Sequence, residues 1–294
     1  MKKFVFWLII VLVTAAATAL PAEMFRKQFP VDPAKPLVID FRDVDGDLQV
    51  STHDRDEIVF EFSKEFSGTR SEKNQEYFRG ITPQVSFAAN RLDVKIIYPK
   101  QFNLFSIFSD YDIKIRSRLI IPVKAELKAD LVDGRIEVAS VKGRLNLNTV
   151  DGDILVNDCQ GDLVLHSVDG DVTVSRAQGR LEIRLVDGDA TVDGVFNGLW
   201  FNSVDGEGEF RLLAGSQLKE NCRLKSGDGD IRLVLAKGLA YRLDARSDEG
   251  EIVSDVSFSQ VIRRESDRLE ASQGDSAAVI EIRSGDGDIQ IKEE

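Results

Sequence analysis

The sequence has few of the residues that build catalytic and metal centres. Its 294 residues contain two histidines, His53 and His166, and two cysteines, Cys159 and Cys222. A structural zinc site needs four such ligands at short spacings, and a covalent catalytic site needs a base beside its nucleophile. Neither pattern occurs, and a glycine-rich phosphate loop is also missing. We therefore expect a non-enzymatic protein with no catalytic, cofactor-binding or metal-binding residues and no cofactor.

Long apolar runs are also missing, apart from one near the N-terminus. Met1-Lys2-Lys3 precedes the apolar run from Phe4 to Val13, and the small-residue stretches at 17–19 and 20–22 follow. This layout is typical of a cleavable secretory signal. Residues 1–22 are therefore predicted to be a signal peptide, and the protein is expected to be exported to the periplasm, cell surface or medium. An uncleaved membrane anchor is the alternative, because the run nearly reaches membrane length.

Positive charge is in deficit. The chain has 38 basic and 50 acidic residues, a net charge of −12. Removal of the signal takes away Lys2 and Lys3, which leaves 36 basic against 50 acidic residues and a net charge of −14. Such a charge disfavours nucleic acid and anionic membranes as partners, and it is more compatible with cationic ligands.

One strict repeat is present. A fixed period of 18 residues is typical of a stacked architecture in which each unit buries its apolar face against its neighbours. Further glycines at 143, 161 and 179 divide the unit into two nine-residue halves. The tripeptide Val-Asp-Gly marks the period at Val132-Asp133-Gly134, Val150-Asp151-Gly152, Val168-Asp169-Gly170, Val186-Asp187-Gly188 and Val204-Asp205-Gly206.

Each nine-residue half has the pattern of a strand. Apolar residues recur two before, two after and four after the turn glycine, as in Val150, Ile154 and Val156. Alternation of this kind indicates a strand with one buried face. Asn197 stands where the next glycine is expected, with Val195 in the first apolar place. Since Asn tolerates a left-handed backbone, we predict that the register continues unchanged there.

Two architectures fit these halves. In an antiparallel meander, Asp-Gly is a hairpin turn, and the valines face away from Ile154 and Val156. In a β-solenoid, the valines and both following strand positions can all point inward, and an insertion would shift every later side chain. We predict the second: an all-β, single-stranded β-solenoid (β-helix or β-roll-like) with coils of about 18 residues and irregular β caps at both ends.

The predicted domain organisation follows the spacing of the turns. Residues 23–35 are predicted to be a short linker, and residues 36–294 a single β-solenoid domain. Within it, regular repeats occupy 131–230. Looser copies of the turn lie in 36–130 and 231–294, which are predicted to be an N-terminal β cap and C-terminal coils with a cap, because a solenoid must cover its open ends.

The first candidates for chemistry are the carboxylates beside the turn glycines. Stacked coils would arrange them in two acidic columns along one edge, where calcium could bridge successive turns. Known calcium β-rolls use a nonapeptide that is richer in glycine, with the aspartate further along. We favour the interpretation that each aspartate bonds its own turn backbone. The residues concerned are Asp151, Asp153, Asp169, Asp171, Asp187 and Asp189.

A second candidate is the outer face of the strands. His166 is predicted to point outward beside Asn148 and Arg184, where it is a solvated surface residue. Some β-helices that act on polysaccharides carry acid and arginine clusters on such a face. Mixed signs on adjacent strands are instead the ordinary pairing of a soluble sheet. The residues of mixed sign are Arg144, Asp162, Arg180, Glu182 and Arg184.

Two further features concern packing. Phe102, Phe105 and Phe108 are predicted to cap the open core rather than to form an exposed patch. Cys159 and Cys222 lie more than three coils apart, which is ~15 Å at ~4.8 Å per strand. A disulfide needs Cα atoms ~4.4–6.8 Å apart, so we predict two buried thiols.

The order of these elements resembles a known family. Its members carry an opening strand, a charged segment and an I-x-V-P strand before runs of G-D-I-x-V. Here these are Leu37–Asp40, Asp56–Val59 and Leu119–Val123, followed by the repeats. Over roughly residues 36–294, the chain resembles the exported bacterial "putative adhesin" family, a domain of unknown function. The resemblance implies a β-solenoid and supplies no catalytic or ligand residues.

These observations predict an exported, non-enzymatic cell-envelope protein with an adhesin-like or scaffold role. The alternatives are a calcium-binding repeat protein that uses the stacked Asp turns, and a carbohydrate-active β-helix enzyme. The expected partner is a component of the envelope or surface, not nucleic acid, and not a membrane beyond an uncleaved N-terminal anchor.

Overall fold

The computed structural model describes residues 23–68, 71–99 and 111–294, and most of this part is β-strand. The described helix is α1 (Glu72–Gly80). The described strands are β1 (Glu23–Pro30), β2 (Val38–Arg42), β3 (Asp47–His53), β4 (Glu57–Gly68), β5 (Thr82–Ala88), β6 (Arg91–Ile97), β7 (Tyr111–Pro122), β8 (Glu126–Asp130), β9 (Ile136–Ala139), β10 (Leu145–Asp151), β11 (Ile154–Asn157), β12 (Gln160–Asp169), β13 (Val172–Asp187), β14 (Ala190–Asn202), β15 (Gly208–Leu212), β16 (Cys222–Ser226), β17 (Ile231–Leu235), β18 (Tyr241–Ser247), β19 (Ile252–Ser254), β20 (Gln260–Arg264), β21 (Arg268–Gln273), β22 (Val279–Ser284) and β23 (Ile289–Glu293).

The regular repeats form a β-solenoid in which each coil contributes two strands. In one row, β10 pairs in parallel with β8 and β12, and partners such as Leu145 and Leu163 are one period apart. In the other row, β11 pairs in parallel with β9 and β13. A meander would pair sequence neighbours in antiparallel. The predicted β-solenoid is therefore confirmed, and the meander alternative is wrong.

Side chains from both rows fill one continuous core. Within one coil, Leu145, Leu147, Ile154 and Val156 are at most 1% exposed, whereas the intervening Asn146 is partly exposed. This alternation is the period of two that the sequence predicted. Burial of one Leu, Ile or Val side chain contributes about 1.5–3 kcal/mol. Each coil therefore holds its neighbours through a similar set of apolar contacts.

The coils do not stack in chain order at either end. The coil of β2 and β3 pairs with β6 and β7 on one side and with β8 and β9 on the other. The coil of β22 and β23 lies between the coil of β16 and β17 and the coil of β18 and β19. One coil near each end of the chain is thus enclosed by residues that are close in space but distant in sequence.

Antiparallel strands cover the two ends of the stack. At the N-terminal end, β4 pairs with β7 and β1, and β5 pairs with β6. The stretch 23–35, predicted to be a linker, instead contains β1, which lies along β4 in register over Glu23–Pro30. Phe29 on β1 is 6% exposed, and its burial explains why this stretch is ordered as a strand. At the other end, β21 pairs with β18 and β20.

A buried lysine fixes helix α1 to this N-terminal cap. Ser71 begins the helix, and its hydroxyl accepts a hydrogen bond from the Asn74 amide at 3.1 Å. At the other end, the Lys64 ammonium donates to the carbonyls of Phe78 at 2.6 Å and Ile81 at 2.9 Å. Lys64 is only 2% exposed. The Phe78 carbonyl also accepts the amide of the capping residue Ile81 at 3.3 Å, so Lys64 supplies it with a second donor and satisfies the Ile81 carbonyl just beyond the helix.

One corner departs from the predicted register. Between β13 and β14 the offset changes from 18 to 17 residues, so that Ala177 pairs with Gly194, and it then reverts. Phe196 is 1% exposed and fills the core at this corner, whereas Val195 is only partly buried. Asn197 is the extra residue of the bulge and has no positive φ. Val195 was predicted to be a core residue and Asn197 to be the turn residue in an unchanged register, and both predictions were wrong. Compared with β13, strand β14 has one residue fewer before Gly194 and one residue more, Asn197, after Phe196.

The remaining packing predictions have mixed outcomes. Cys159 and Cys222 are buried free thiols, as predicted. Burial raises the pKa of both, to about 11 for Cys222. The predicted signal peptide, residues 1–22, and the phenylalanine cluster, residues 102–108, lie outside the described residues. Within the described ranges, no helix has the length and apolar character needed to cross a membrane.

Candidate functional site

The Val-Asp-Gly corners align into one straight edge of the solenoid, which we call the Asp–Gly edge. Parallel bridges link Asp133 to Asp151 and Asp187 to Asp205, and they continue to Asp45 at one end and Asp228 at the other. The glycines are required by close approach as well as by conformation. Gly170 has φ +140°, and a Cβ atom there would lie 2.4 Å from the carbonyl oxygen of Gly152. Successive corners therefore touch backbone to backbone.

The valines of this edge point into solvent, contrary to the prediction that they face the core. Strand alternation continues through the corner, so the residue before each valine points inward and the valine points outward. The six exposed side chains form a row, which we call the valine ladder, with one rung per coil. Their exposed fractions are 51% for Val44, 46% for Val132, 46% for Val150, 45% for Val168, 46% for Val186 and 59% for Val204.

At three of the six corners a hydroxyl side chain, Thr149, Ser167 or Ser203, occupies the inward position that the valines were expected to fill. Ser167 is 3% exposed, and its hydroxyl donates to the carbonyl of Gly152 on the preceding coil at 3.3 Å. Ser226 does the same to Gly206 at 2.9 Å. These bonds satisfy carbonyls that would otherwise be buried without a partner at the corner. The second Ser-Val-Asp-Gly does not repeat this bond, because the Ser203 hydroxyl donates to the carbonyl of Asp205 in its own turn at 3.1 Å.

The carboxylates after the glycines hold adjacent coils together. We call them the trailing Asp column, Asp153, Asp171 and Asp189. Each accepts a hydrogen bond from the backbone amide one coil further on, at 3.3, 2.9 and 2.8 Å respectively. The expectation that these side chains bond their own turn was therefore wrong. The corner turns them along the stack axis, so the nearest unsatisfied amide belongs to the next coil.

The carboxylates before the glycines do not bond to the next coil. We call them the leading Asp column, Asp133, Asp151, Asp169, Asp187 and Asp205. Within the described part of the chain, none of their side chains accepts a hydrogen bond or forms an ion pair. The trailing column and the leading residues Asp169, Asp187 and Asp205 line a shallow groove of ≈ 550 Å³ together with the glycines between them. Unpaired negative charge thus runs beside the valine ladder.

The N-terminal end of the edge carries a buried acidic cluster. Asp43 is 5% exposed, and the Tyr98 hydroxyl donates to its Oδ1 at 2.5 Å. Burial raises the pKa of Asp43, and the hydrogen bond from Tyr98 opposes the rise. Burial, followed by repulsion from Asp133, raises the pKa of Asp45 to about 6. The edge therefore begins with a carboxylate that titrates close to neutral pH.

The calcium alternative gains no support from this geometry. In the described residues, no three carboxylate, histidine or cysteine side chains converge in a way that could hold a metal ion. One oxygen of each trailing Asp carboxylate is already bonded to an amide, as described above. The predicted absence of metal-binding residues stays a prediction.

The outer strand face has the ordinary pairing expected of it. His166 lies between Asn148 and Arg184 on adjacent coils as predicted, but it is partly buried and not the solvated surface residue that was expected, because neighbours on both coils flank it. Its desolvation and the Arg184 charge lower the pKa of the imidazole. Arg184 lies 2.5 Å from Glu182, and the Arg180 guanidinium stacks 4.3 Å from the centre of the Trp200 ring. These contacts pair the charges of the face with one another.

The fold and its edge together define a class, the parallel β-solenoids with a repeated Asp-Gly corner. The profile of the Toastrack DUF4097 family matches residues 42–292, and the chain belongs to this family. This match confirms the expected resemblance to an adhesin-like family of unknown function. No curated protein matches the chain.

Several solved structures are similar to the chain at low identity. A "putative adhesin" from Bacteroides fragilis NCTC 9343 is 16% identical, with 92% of this chain and 97% of that chain covered and a TM-score of 0.47. A "putative cell adhesion protein" from Clostridium sporogenes ATCC 15579 is 14% identical, with 92% and 100% covered and a TM-score of 0.31. A "putative lipid binding protein" from Parabacteroides distasonis ATCC 8503 is 15% identical, with 91% and 96% covered and a TM-score of 0.45. The family assignment rests on the profile match.

Proposed function

We propose that the chain is an exported, non-enzymatic envelope protein that holds a basic amphipathic helix of a partner protein along its Asp–Gly edge. The observation that carries the proposal is the valine ladder. Six valines in a row, each about half exposed, form an apolar strip beside unpaired carboxylates. Contiguous exposed apolar patches of a few hundred Å² commonly mark interaction sites. Scattered single apolar residues would carry no such meaning.

The spacing of the ladder favours a helix over an extended strand. Rungs on stacked coils are ~4.8 Å apart, and a helix advances ~5.4 Å per turn. An extended peptide repeats side chains on one face only every ~6.7 Å. The six rungs span ~24 Å, the length of a helix of ~16 residues. Apolar residues at i, i+3 or i+4 and i+7 of such a helix can therefore follow the valines.

The charge of the edge selects a basic partner. The leading Asp column runs directly beside the ladder, and Asp151, Asp169 and Asp187 are exposed. Lysines or arginines flanking the apolar stripe of a helix would neutralise these carboxylates. Such pairing sets specificity and the rate of association more than affinity. Export is supported by the N-terminal sequence layout, and a non-enzymatic role by the scarcity of catalytic residue types.

A designed peptide tests the proposal. The probe is an 18-residue amphipathic helix with a leucine stripe and flanking lysines, labelled for fluorescence anisotropy against residues 23–294. The variant Val150→Ser, Val168→Ser, Val186→Ser should weaken binding at least tenfold, because it removes the apolar contact and leaves the charges. The control is Val261→Ser, which alters a valine that is 47% exposed on β20 and does not belong to the ladder.

Two further arms separate this interaction from simple charge attraction. A scrambled peptide of the same composition, with no apolar stripe, should bind at least tenfold more weakly than the amphipathic probe. Equal binding of the two peptides, or unchanged binding to the valine variant, would refute the helix-binding role. Export is tested separately, by fractionation of cells that produce the full chain with a C-terminal tag.

A further inference from the structure

A second concave surface lies on the opposite edge of the solenoid, near its N-terminal end. It is a cleft of ≈ 860 Å³ between the segment that joins β1 to β2, the loop after β3, and the corners at 122–126 and 142–144. Sites that hold one small organic molecule have volumes of this order, ≈ 300–1,000 Å³. Nothing in the proposed helix-binding edge uses this cleft.

One wall of the cleft is apolar and stiff. Leu37 is 3% exposed and forms part of the floor, while Pro122 and Val123 are partly exposed. Pro36 also lines the cleft. Proline fixes its own backbone, so this wall changes little on binding. A hydrocarbon group placed here would be removed from water on one side.

Two lysines on successive coils stand beside this wall. The Lys142 amide donates to the Val123 carbonyl at 2.7 Å, and a parallel bridge places Lys124 next to Lys142. Both side chains are exposed. Within the described ranges, neither has a carboxylate within ion-pair distance. Two neighbouring ammonium groups repel each other, and an anion between them would remove that repulsion.

The other cations of the cleft already have partners. Lys35 lies 2.9 Å from Asp32, Arg55 lies 2.9 Å from Glu57, and Arg144 lies 3.8 Å from Asp162. Asp54, Asp56 and Glu126 also line the cleft. In the part of the chain that the structure describes, none of these three pairs with Lys124 or Lys142. These three carboxylates have no ion-pair partner among the described residues either, so the cleft is not positive overall, and its positive charge is local to the two lysines beside the apolar wall.

A histidine orients one further cation at the rim. The Arg55 Nε donates to His53 Nδ1 at 3.0 Å, and His53 Nε2 lies 2.8 Å from the Glu57 carbonyl oxygen. This pattern requires a neutral imidazole whose proton is on Nε2. Arg55 is thus held in place by groups that do not depend on a ligand.

We propose that this cleft binds one amphiphilic organic anion. Its carboxylate or phosphate monoester lies between the ammonium groups of Lys124 and Lys142, and its hydrocarbon body contacts Pro122 and Val123. The assignment rests on charge complementarity confined to two unpaired lysines beside an apolar wall, within a cavity of single-molecule size. A cationic headgroup in this position, beside the apolar wall, would be repelled by the two lysines and would have to turn toward Asp54, Asp56 or Glu126 instead. A wholly apolar ligand would leave the lysines unpaired.

Isothermal titration calorimetry with decyl phosphate, below its critical micelle concentration, tests the site in residues 23–294. Lys124→Ala with Lys142→Ala should weaken binding at least tenfold, and Lys124→Arg with Lys142→Arg should keep it within about threefold. The matched control is Lys219→Ala with Lys225→Ala, which removes two exposed lysines elsewhere and should change binding by less than twofold. All four lysines are exposed, and circular dichroism verifies that each variant folds.

Three other ligands define the chemistry. Inorganic phosphate should bind at least tenfold more weakly than decyl phosphate, and decyltrimethylammonium should not compete with it. Equal binding of inorganic phosphate or of the ammonium amphiphile, or full affinity in the double alanine variant, overturns the proposal. Competition by phosphatidylglycerol vesicles would identify a membrane lipid as the source of the anion. No competition would identify a free amphiphile, and either result supports the cleft.

Discussion

The trailing and leading Asp columns allow a matched test of what the acidic edge does for stability. Asp153, Asp171 and Asp189 each accept an amide hydrogen bond from the next coil. Replacing all three by alanine removes those bonds, together with the exposed ion pair between Asp153 and Arg135 at 3.1 Å. Replacing Asp151, Asp169 and Asp187 by alanine removes the same charge at the neighbouring positions and no hydrogen bond.

The difference between the two triple variants can be estimated. A typical hydrogen bond contributes about 1 kcal/mol net, so three contribute about 2–3 kcal/mol, given that one of them is long. Repulsion between like charges ~5 Å apart in water is ~0.8 kcal/mol per pair, and each variant relieves it within one column. Only the trailing variant also loses the exposed Arg135–Asp153 ion pair, which adds about 0.2–1 kcal/mol. The trailing variant should therefore unfold with a free energy about 2–4 kcal/mol lower than the leading variant.

Equilibrium urea unfolding of residues 23–294, followed by circular dichroism and by fluorescence, measures this difference. Coincident transitions are required, because repeat proteins can unfold in parts. A variant with asparagine at all three trailing positions should recover most of the lost unfolding free energy, since the side-chain amide oxygen can still accept the hydrogen bond from the next coil. If the leading variant is as destabilised as the trailing one, the hydrogen bonds between coils are not what the aspartates provide.

The remaining predictions concern the corners and their charges. Gly170→Ala should lower the free energy of unfolding by about 3–5 kcal/mol, from backbone strain and lost hydrogen bonds between coils. Gly238→Ala, at φ +83° with no atom within 4 Å, should cost only about 1 kcal/mol, and equal losses would contradict the close-approach argument. Because the pKa of Asp45 is about 6 in the folded protein against 3.8 ordinarily, the folded state binds more protons in this window. The free energy of unfolding should therefore increase as the pH falls from 7 to 5. The increase should be smaller in Asp45→Asn, and in the control Asp205→Asn it should equal that of the unmodified protein. Thermal unfolding should occur at the same temperature in calcium and in chelator, and an increase of several degrees with calcium would restore the calcium-binding alternative.

The period of the sequence was sufficient to predict the solenoid, because register and period are physically linked. An 18-residue repeat of Asp-Gly corners fits parallel stacking, and the apolar alternation marks Ile154 and Val156 as core. The direction of the corner residues was not predictable from apolarity alone. A valine before Asp-Gly looks like a core residue, and Ser167, which is buried, looks like a surface residue. Which of the two side chains points into the core depends on whether the strand alternation continues through the corner.

The order of the coils at the ends was also hidden from the sequence. Turns in 231–294 could be recognised, but nothing in their spacing shows that β22 and β23 enter between two earlier coils. The bulge at Asn197 was missed because Val195 satisfies the apolar pattern as well as Phe196 does. For the candidate site, the carboxylates were found from spacing, whereas the cleft at Lys124 and Lys142 required the three-dimensional meeting of three separate corners.

The enclosed coil of β22 and β23 has a mechanical consequence. β23 is hydrogen-bonded to β17 on one side and to β19 on the other. Tension applied to the chain beyond β23 must shear two ladders at once, whereas an outermost coil would peel away one bond at a time. The same arrangement means that residues 241–254 cannot reach their final place until residues 279–293 have been translated. Assembly of this end is therefore delayed until most of the chain has been translated. Once assembled, this end resists a pulling force because two hydrogen-bonded ladders must break together.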